Sequence, residues 1–148
     1  KVYGVIKDIT EENKIKKQLK EAEERLRFAI EAGNYGVWDM DFETGELFWN
    51  ESSYNLLGYK NNEIKLTFEL WQNSLHPEDL KKMILIFEQI SKNSITEFSF
   101  EYRIKNKSGD YIWLMSKGKV AGYNNNGKPN RLVGVNINIH DKKLQNWN

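Results

Sequence analysis

Few side chains in this sequence could carry out chemistry by themselves. The chain has no cysteine and two histidines, His76 and His140. His76 stands directly before Pro77 in a segment that predicts a helix start, and Glu78 and Asp79 suit the first turn, where carboxylates complement the helix dipole. His140 falls at the end of a predicted strand, where we expect it to be solvated. Because no Ser-His-Asp set, phosphate-binding loop or metal-ligand spacing occurs, the sequence predicts a domain that is not an enzyme.

Asn136 is the polar side chain best suited to orient a ligand, because its amide is both a hydrogen-bond donor and an acceptor. Its strand alternates, which predicts one face with Val133, Val135, Ile137 and Ile139 and another with Leu132, Gly134, Asn136 and Asn138. Two interpretations remain open: Asn136 contacts a ligand, or it bonds a neighbouring helix backbone or a buried water. Tyr102, on an earlier predicted strand, is either a core aromatic or a ligand contact.

The strand that carries Asn136 is the last of three that we predict to form an antiparallel meander. Residues 97–105 alternate strictly between polar and apolar side chains, which predicts a half-buried strand. A second strand begins at Tyr111 and continues toward Val120. The intervening segments are rich in Asn and Gly, which is typical of turns.

Other elements must cover the faces of this meander. Residues 36–41 and 46–49 predict a hairpin, and Asn50 is a suitable N-cap for a short helix. Further helices are predicted around residues 68–71 and after Pro77. The predicted fold class is therefore α+β, with a five-stranded antiparallel sheet that carries short helices on one face and follows a long N-terminal linker helix.

The linker helix is predicted over residues 10–33, where charged side chains surround a narrow apolar seam. The seam residues are spaced 4, 3, 4, 3 and 4 apart: Ile15, Leu19, Ala22, Leu26, Ala29 and Gly33. This spacing is typical of a two-stranded coiled coil, but a solvated helix that rests one narrow side on its own domain is also possible. Confident assignment needs at least three heptads, so both interpretations stay open.

The two ends of the chain resemble each other. Residues 4–11, Gly-Val-Ile-Lys-Asp-Ile-Thr-Glu, align with residues 134–141, Gly-Val-Asn-Ile-Asn-Ile-His-Asp. Such an echo is expected from a tandem array of one module. We therefore predict that residues 1–9 are the last strand of a preceding copy and that residues 142–148 begin the next linker. A first residue other than Met also suggests a piece of a longer protein.

Composition limits the possible partners. The formal net charge is +1, which argues against nucleic acid and against an anionic membrane surface. No apolar run approaches the roughly 18 residues of a membrane span, so no direct membrane insertion is expected. The predicted location is the cytoplasm, although the full-length protein could be anchored to a membrane elsewhere.

An ordered run of motifs resembles a PAS domain with its C-terminal PAC portion, of the subfamily with a His-Pro-Glu-Asp turn. The matching pieces are Gly36-Val37-Trp38-Asp39, Leu56-Leu57-Gly58-Tyr59, His76-Pro77-Glu78-Asp79, Phe100-Glu101-Tyr102-Arg103-Ile104 and Ser108-Gly109-Asp110-Tyr111-Ile112-Trp113. The resemblance covers residues 34–141. The sequence departs from the family pattern at Asn138 and His140, where Asp and Thr are usual.

The resemblance implies a sensory or interaction module of a larger, tandem-PAS signalling protein, of the histidine kinase or diguanylate cyclase type. Such a module relays a signal through its flanking helices. The alternative is a structural dimerisation and relay domain that binds no ligand. The implied partners are a second copy of the chain and the adjacent PAS and output domains of the same chain.

The resemblance also implies where ligand and partner bind. The glycine-bearing face of the last strand would face the helices, so a small organic ligand would contact Asn136, Gly134, Tyr102, Phe100, Ile112, Leu114, Trp71 and Phe87. A homodimer would form through Ile15, Leu19, Ala22 and Leu26 of the linker helix and through Trp113, Val135 and Ile137 of the outer sheet face.

No cofactor is expected. Haem is bound by some PAS domains through a histidine, but both histidines of this chain are predicted at the ends of elements rather than inside the cavity. Flavin photochemistry of the LOV type requires a reactive cysteine, which the chain lacks.

Overall fold

The computed structural model describes residues 2–145, with side chains described from Ile9 onward. The chain divides into two compact units, and the boundary along the sequence falls between Asn34 and Tyr35. The first unit is helix α1, Val2–Gly33. Asn34 follows it with φ of 53°, the left-handed conformation in which many helices end. The predicted linker helix over residues 10–33 is therefore a helix in the structure.

The prediction of a strand over residues 1–9 is wrong for residues 2–9, because these residues belong to α1, which begins at Val2. A strand needs a neighbouring strand to satisfy its backbone N–H and C=O groups, and the sheet of this chain uses none of these residues. A helix satisfies the same groups within the segment itself. Residue 1 lies outside the described residues.

The second unit is a sheet with helices packed against it. Its elements are β1 (Gly36–Asp41), β2 (Leu47–Trp49), α2 (Glu51–Leu56), α3 (Phe68–Ser74), α4 (Pro77–Ser91), β3 (Glu97–Lys105), β4 (Tyr111–Tyr123), β5 (Pro129–Asn138) and α5 (His140–Gln145). All five strands pair antiparallel in the order β2-β1-β5-β4-β3. The predicted α+β fold with a five-stranded antiparallel sheet is confirmed. Of the predicted next linker, residues 142–145 lie in α5 and residues 146–148 lie outside the described residues.

Two helix caps fix how the helical layer meets the sheet. Asn50 Oδ1 accepts hydrogen bonds from the backbone N–H of Ser53 in α2 and of Val37 in β1, at 3.0 and 2.8 Å. His76 caps α4, since its Nδ1 accepts from the backbone N–H of Glu78 at 3.2 Å. Both residues act as the sequence predicts, and both caps satisfy N–H groups that helix geometry leaves without a partner.

The indole of Trp38 lies across two glycines on the inner face of the sheet, the face that carries α3 and α4. Trp38 pairs with Gly134 of β5, and Gly134 pairs with Gly118 of β4. A Cβ atom on Gly118 would stand 2.6 Å from Cζ2 of the indole, and one on Gly134 would meet both the indole and the backbone oxygen of Lys117. The two missing side chains therefore leave the space that the indole occupies.

Candidate functional site

A cavity lies between the inner face of the sheet and helices α3 and α4. Aromatic and aliphatic side chains line most of it, and the full lining is Trp38, Met40, Leu47, Trp49, Phe68, Trp71, Met83, Ile86, Phe87, Phe98, Phe100, Ser116 and Asn136. The volume that the centre of a water molecule can reach is about 30 Å³. That volume holds roughly two waters, at about 10 to 15 Å³ each. No charged residue in the part of the chain that the structure describes lines this cavity.

The polar end of the cavity is a buried hydrogen-bonded cluster. Asn136 Oδ1 accepts from the hydroxyl of Ser116 at 2.5 Å and from the hydroxyl of Tyr102 at 3.3 Å. The Ser116 and Tyr102 hydroxyl oxygens are 3.0 Å apart. Burial raises the pKa of Tyr102 to about 12, against the opposing effect of hydrogen bonds from Ser116 and Trp71. Tyr102 therefore remains protonated and keeps its hydrogen for Asn136.

Asn136 thus points inward, as the sequence predicts, but its partners differ from the expected ones. The sequence suggested a helix backbone or a buried water, whereas the structure pairs the amide oxygen with side chains of β3 and β4. Ser116 lies opposite Asn136 on the adjacent strand β4, whereas Tyr102 lies on β3, two residues along from Phe100, the register partner of Ser116. Strand register is a tertiary feature, which periodicity along one strand does not give.

Four of the eight residues predicted to contact a ligand line the cavity, namely Asn136, Phe100, Trp71 and Phe87. Gly134, Tyr102, Ile112 and Leu114 are not among the lining residues. Gly134 lies under the indole of Trp38, which takes the room that the sequence assigned to a ligand. Tyr102 and Leu114 are buried core residues, and Tyr102 acts indirectly by holding Asn136.

Sequence reasoning missed Trp38 as a cavity residue. Its side chain is 7% exposed, and its Nε1 is buried without a hydrogen-bond partner among the described residues. Alternation along residues 36–41 does place Trp38 on one face of its strand, but only the pairing with Gly134 shows where the ring lies.

A second polar cluster joins α4 to β3. Asp79, in the first turn of α4, is completely buried, and its Oδ2 accepts from the backbone N–H and from Nε of Arg103 at 2.7 and 2.9 Å. Burial alone would raise the pKa of Asp79, but the hydrogen bonds and charge of Arg103 outweigh that effect and the pKa is lowered. The sequence assigned Asp79 to the helix dipole, whereas in the structure it anchors α4 to the sheet.

Trp113, on the outer face of the sheet, connects this cluster to the C-terminal helix. Its ring lies 4.9 Å from the guanidinium carbon of Arg103 and 4.8 Å from Nζ of Lys143 in α5. Its backbone N–H donates to Nδ1 of His140 at 3.2 Å, and Asn138 Oδ1 accepts from the backbone N–H of His140 at 2.9 Å. The expectation that His140 is solvated is therefore wrong, because the imidazole is half-buried and hydrogen-bonded at the start of α5.

The residues predicted to form a dimer fall into two groups. On α1, Ala22 is exposed, and the larger seam residues Ile15, Leu19 and Leu26 are 63%, 59% and 63% exposed. On the outer sheet face, Trp113, Val135 and Ile137 are half-buried. Cations of the same chain lie over Trp113, so this part of the outer face is already in contact with α5.

Neither His76 nor His140 is among the described residues that line the cavity, so neither imidazole is placed to ligate a haem iron there. In residues 2–145, no cluster of His, Asp and Glu is arranged to hold a metal ion. Over the same part of the chain, no helix is both long and apolar enough to cross a membrane.

The family model described as the PAS fold matches residues 46–136, which run from just before β2 through most of β5. The chain belongs to the PAS family. This PAS domain is a sensory or interaction module of the kind found in signalling proteins, as its similarity to sensor kinases and diguanylate cyclases shows.

Three similar proteins illustrate the relationship. The probable diguanylate cyclase DgcE of Escherichia coli is 26% identical over 141 residues, or 95% of this chain and 12% of that protein. Sensor protein FixL of Bradyrhizobium diazoefficiens is 23% identical over 120 residues, or 81% of this chain and 23% of that protein. A sensory box histidine kinase/response regulator structure from Burkholderia thailandensis matches with a TM-score of 0.71 and 27% identity, covering 83% of this chain and 90% of that one. The chain thus spans less than a quarter of the length of these two curated relatives.

Proposed function

We propose that this PAS domain is a non-catalytic regulatory unit that binds a small molecule in the cavity and passes the signal to its neighbours through α5. The observation that supports this is an unbroken series of contacts from the cavity wall to α5. Met83 and Phe87 of α4 line the cavity, and Asp79 on the same helix holds Arg103. Arg103 and Lys143 then both contact the ring of Trp113.

The small volume of the cavity explains how binding would act on this series of contacts. Pockets for drug-sized ligands usually measure about 300 to 1,000 Å³, whereas this cavity offers about 30 Å³. A ligand larger than a few heavy atoms must therefore displace α3 or α4. Asp79 fixes the first turn of α4 to β3, so such a displacement would strain the hydrogen bonds between Asp79 and Arg103. Because Arg103 contacts Trp113, the strain would also weaken the packing of α5 on Trp113.

The same small volume supports a second candidate, a relay domain that dimerises and binds nothing. Native mass spectrometry of the purified chain separates the two candidates. If the domain binds a small molecule, the measured mass should exceed that of the polypeptide. Organic extraction should remove the excess and yield an identifiable small molecule. A mass equal to the polypeptide alone, together with no thermal shift in a small-molecule library, would support the relay instead.

Hydrogen exchange tests the relay through Trp113. Trp113→Leu removes the aromatic face under Lys143, and a cation–π contact is worth about 0.5 to 1 kcal/mol at an exposed site. We expect amides of residues 142–145 to exchange roughly 2- to 5-fold faster in this variant. Tyr123→Leu, a change of an exposed aromatic at the far end of β4, is the control. Equal exchange of α5 in both variants would contradict a role for Trp113.

The proposal also covers partners and location. We propose that two copies associate through the exposed α1 seam, that adjacent domains of a longer chain supply the output, and that the module works in the cytoplasm. The kinase and cyclase names of its relatives support an output of one of those two types. Small-angle scattering would report the oligomer, and a fluorescent fusion of the full-length protein would report its location.

A further inference from the structure

Two residues that line the cavity, Trp38 and Asn136, have side-chain hydrogen-bond donors without a partner among the described residues. Nε1 of Trp38 is buried without a partner among the described residues. Asn136 also lines the cavity, and its carbonyl oxygen is already taken by Ser116 and Tyr102. Within the described part of the chain, the hydrogen bonds of the Asn136 side chain use Oδ1, which leaves its Nδ2 amide group as a second donor. An indole N–H and an amide NH₂ can only donate hydrogen bonds. A ligand that satisfies both groups must therefore provide a hydrogen-bond acceptor.

Water is a poor match for such a site. A buried water normally makes about three hydrogen bonds, and two of them use its own hydrogens as donors. Apart from Asn136 and Ser116, the lining offers aromatic rings, aliphatic groups and methionine sulfurs, which are weak acceptors. A carbonyl oxygen has two lone pairs and no hydrogen to place, so it satisfies both donors and leaves nothing of its own unpaired.

Charge narrows the ligand class further. Among the described residues, no Lys, Arg or His lines the cavity. A carboxylate would therefore be transferred into an aromatic site without a counter-charge, which is strongly unfavourable. A neutral carbonyl compound loses far less hydration.

We propose that this cavity selects a small neutral molecule that carries a carbonyl-type oxygen, held by Trp38 Nε1 and Asn136 Nδ2. This inference rests on the proposed sensing function, and it specifies the chemistry of the same site. Ketones, aldehydes, amides and quinones belong to the class. Carboxylates, amines and pure hydrocarbons do not.

Three isosteric probes test the class: acetone, acetate and isobutene share a flat frame of four heavy atoms. Acetone is a neutral hydrogen-bond acceptor and acetate is an anionic one. Isobutene has no conventional hydrogen-bond acceptor. Proton–nitrogen correlation NMR of the whole chain reads both donors directly, through the indole N–H of Trp38 and the side-chain NH₂ of Asn136. We expect acetone to move both signals downfield in a saturable titration, and acetate and isobutene to leave them in place.

Trp38→Phe removes one donor and assigns its signal, and we expect acetone to bind it about 5-fold more weakly, as for the loss of one neutral hydrogen bond. Tyr123→Phe removes a polar group from an exposed aromatic residue at the far end of β4 and should bind acetone as the parent does. If Trp38→Phe fails to fold, Asn136→Leu tests the other donor, and the titration of the parent stands by itself.

Equal responses to acetone and isobutene, or a stronger response to acetate, would overturn the inference. So would a compound that native mass spectrometry finds bound while neither donor signal moves, and in that case the sensing function would still stand. If no probe enters and no compound is retained, with only water cross-peaks at the Trp38 indole, both the inference and the sensing function fail.

Discussion

Asp79 is completely buried and pairs with the half-buried Arg103 between α4 and β3, where one carboxylate oxygen accepts from both the backbone N–H and the Nε of the arginine, at 2.7 and 2.9 Å. The pair replaces the backbone partner that Arg103 would otherwise need at this edge of the sheet. It also fixes the start of the helix that forms one wall of the cavity.

Asp79→Asn should lower the free energy of unfolding by about 3 kcal/mol, because it removes a completely buried charge partner of Arg103 and leaves the exposed Glu78 as the other carboxylate that pairs with it. Asp39→Asn is the matched control, since Asp39 pairs with Arg131 at the exposed surface. Solvent screens that pair, so the control should change stability much less. Denaturant unfolding measures both, and similar losses in the two variants would contradict an anchoring role for Asp79.

Acid should remove the contribution of Asp79 in the parent. Its pKa is lowered in the folded protein, so the pair stabilises the fold above the ordinary pKa of an aspartate and is lost as pH falls through the lowered value. We therefore expect the stability difference between the parent and Asp79→Asn to shrink in acid. A difference that stays constant down to acid unfolding would show that the charge of Asp79 is not what stabilises the fold.

Alkali should act through Tyr102. Its pKa is raised from 10.0 to about 12 in the folded protein, so the native state retains a proton that the unfolded chain releases. The contribution is complete below pH 10 and falls as pH rises toward 12, by about 1.4 kcal/mol per pH unit. Tyr102→Phe cannot ionise, so its stability should decline less steeply over this range. Parallel slopes for the parent and the variant would contradict the assignment.

The glycines under Trp38 should differ in whether a second change can rescue them. Gly118→Ala would meet the rings of Trp38 and Phe98, whereas Gly134→Ala would also meet the backbone oxygen of Lys117. Overpacking of this kind costs about 1 to 3 kcal/mol. Adding Trp38→Leu should restore stability to Gly118→Ala but not to Gly134→Ala. Thermal unfolding of the two double variants, compared with Trp38→Leu alone, decides between these outcomes.

The seam of α1 should control the oligomeric state. Replacing Leu19 and Leu26 with Glu puts charges into the apolar stripe, and we expect sedimentation to shift from dimer to monomer. Phe28 is on the same helix, 73% exposed and outside the seam, so Phe28→Glu is the control and should remain dimeric. A monomeric parent would contradict the dimer directly.

Local patterns predicted most of the elements. The alternation of residues 97–105 gave β3 with its observed bounds, and the cap residues Asn50 and His76 gave the starts of α2 and α4. These features depend on neighbours in sequence, so a single sequence contains them. The segment before residue 10 was misread because its apolar pattern suits a strand, while the choice of helix depends on the absence of a pairing partner.

The site was predicted less completely, because it depends on register between strands. The Asp79–Arg103 pair joins residues 24 apart in sequence, and the position of the Trp38 indole depends on two glycines from other strands. Of the cavity residues, Asn136 could be found because a polar side chain among apolar ones is conspicuous in an alternating strand. Trp38 could not, since an aromatic residue in a strand usually indicates core packing.

Because Trp38 lies over Gly134 and Gly118, the extent of the cavity along the sheet depends on one replaceable side chain. The glycines leave bare backbone beneath the indole, so a smaller residue at position 38 would extend the cavity along the sheet without disturbing strand pairing. The size of the cavity can therefore be changed by substitution at one position, for example in the engineering of biosensors, while the glycines and the strand pairing stay as they are.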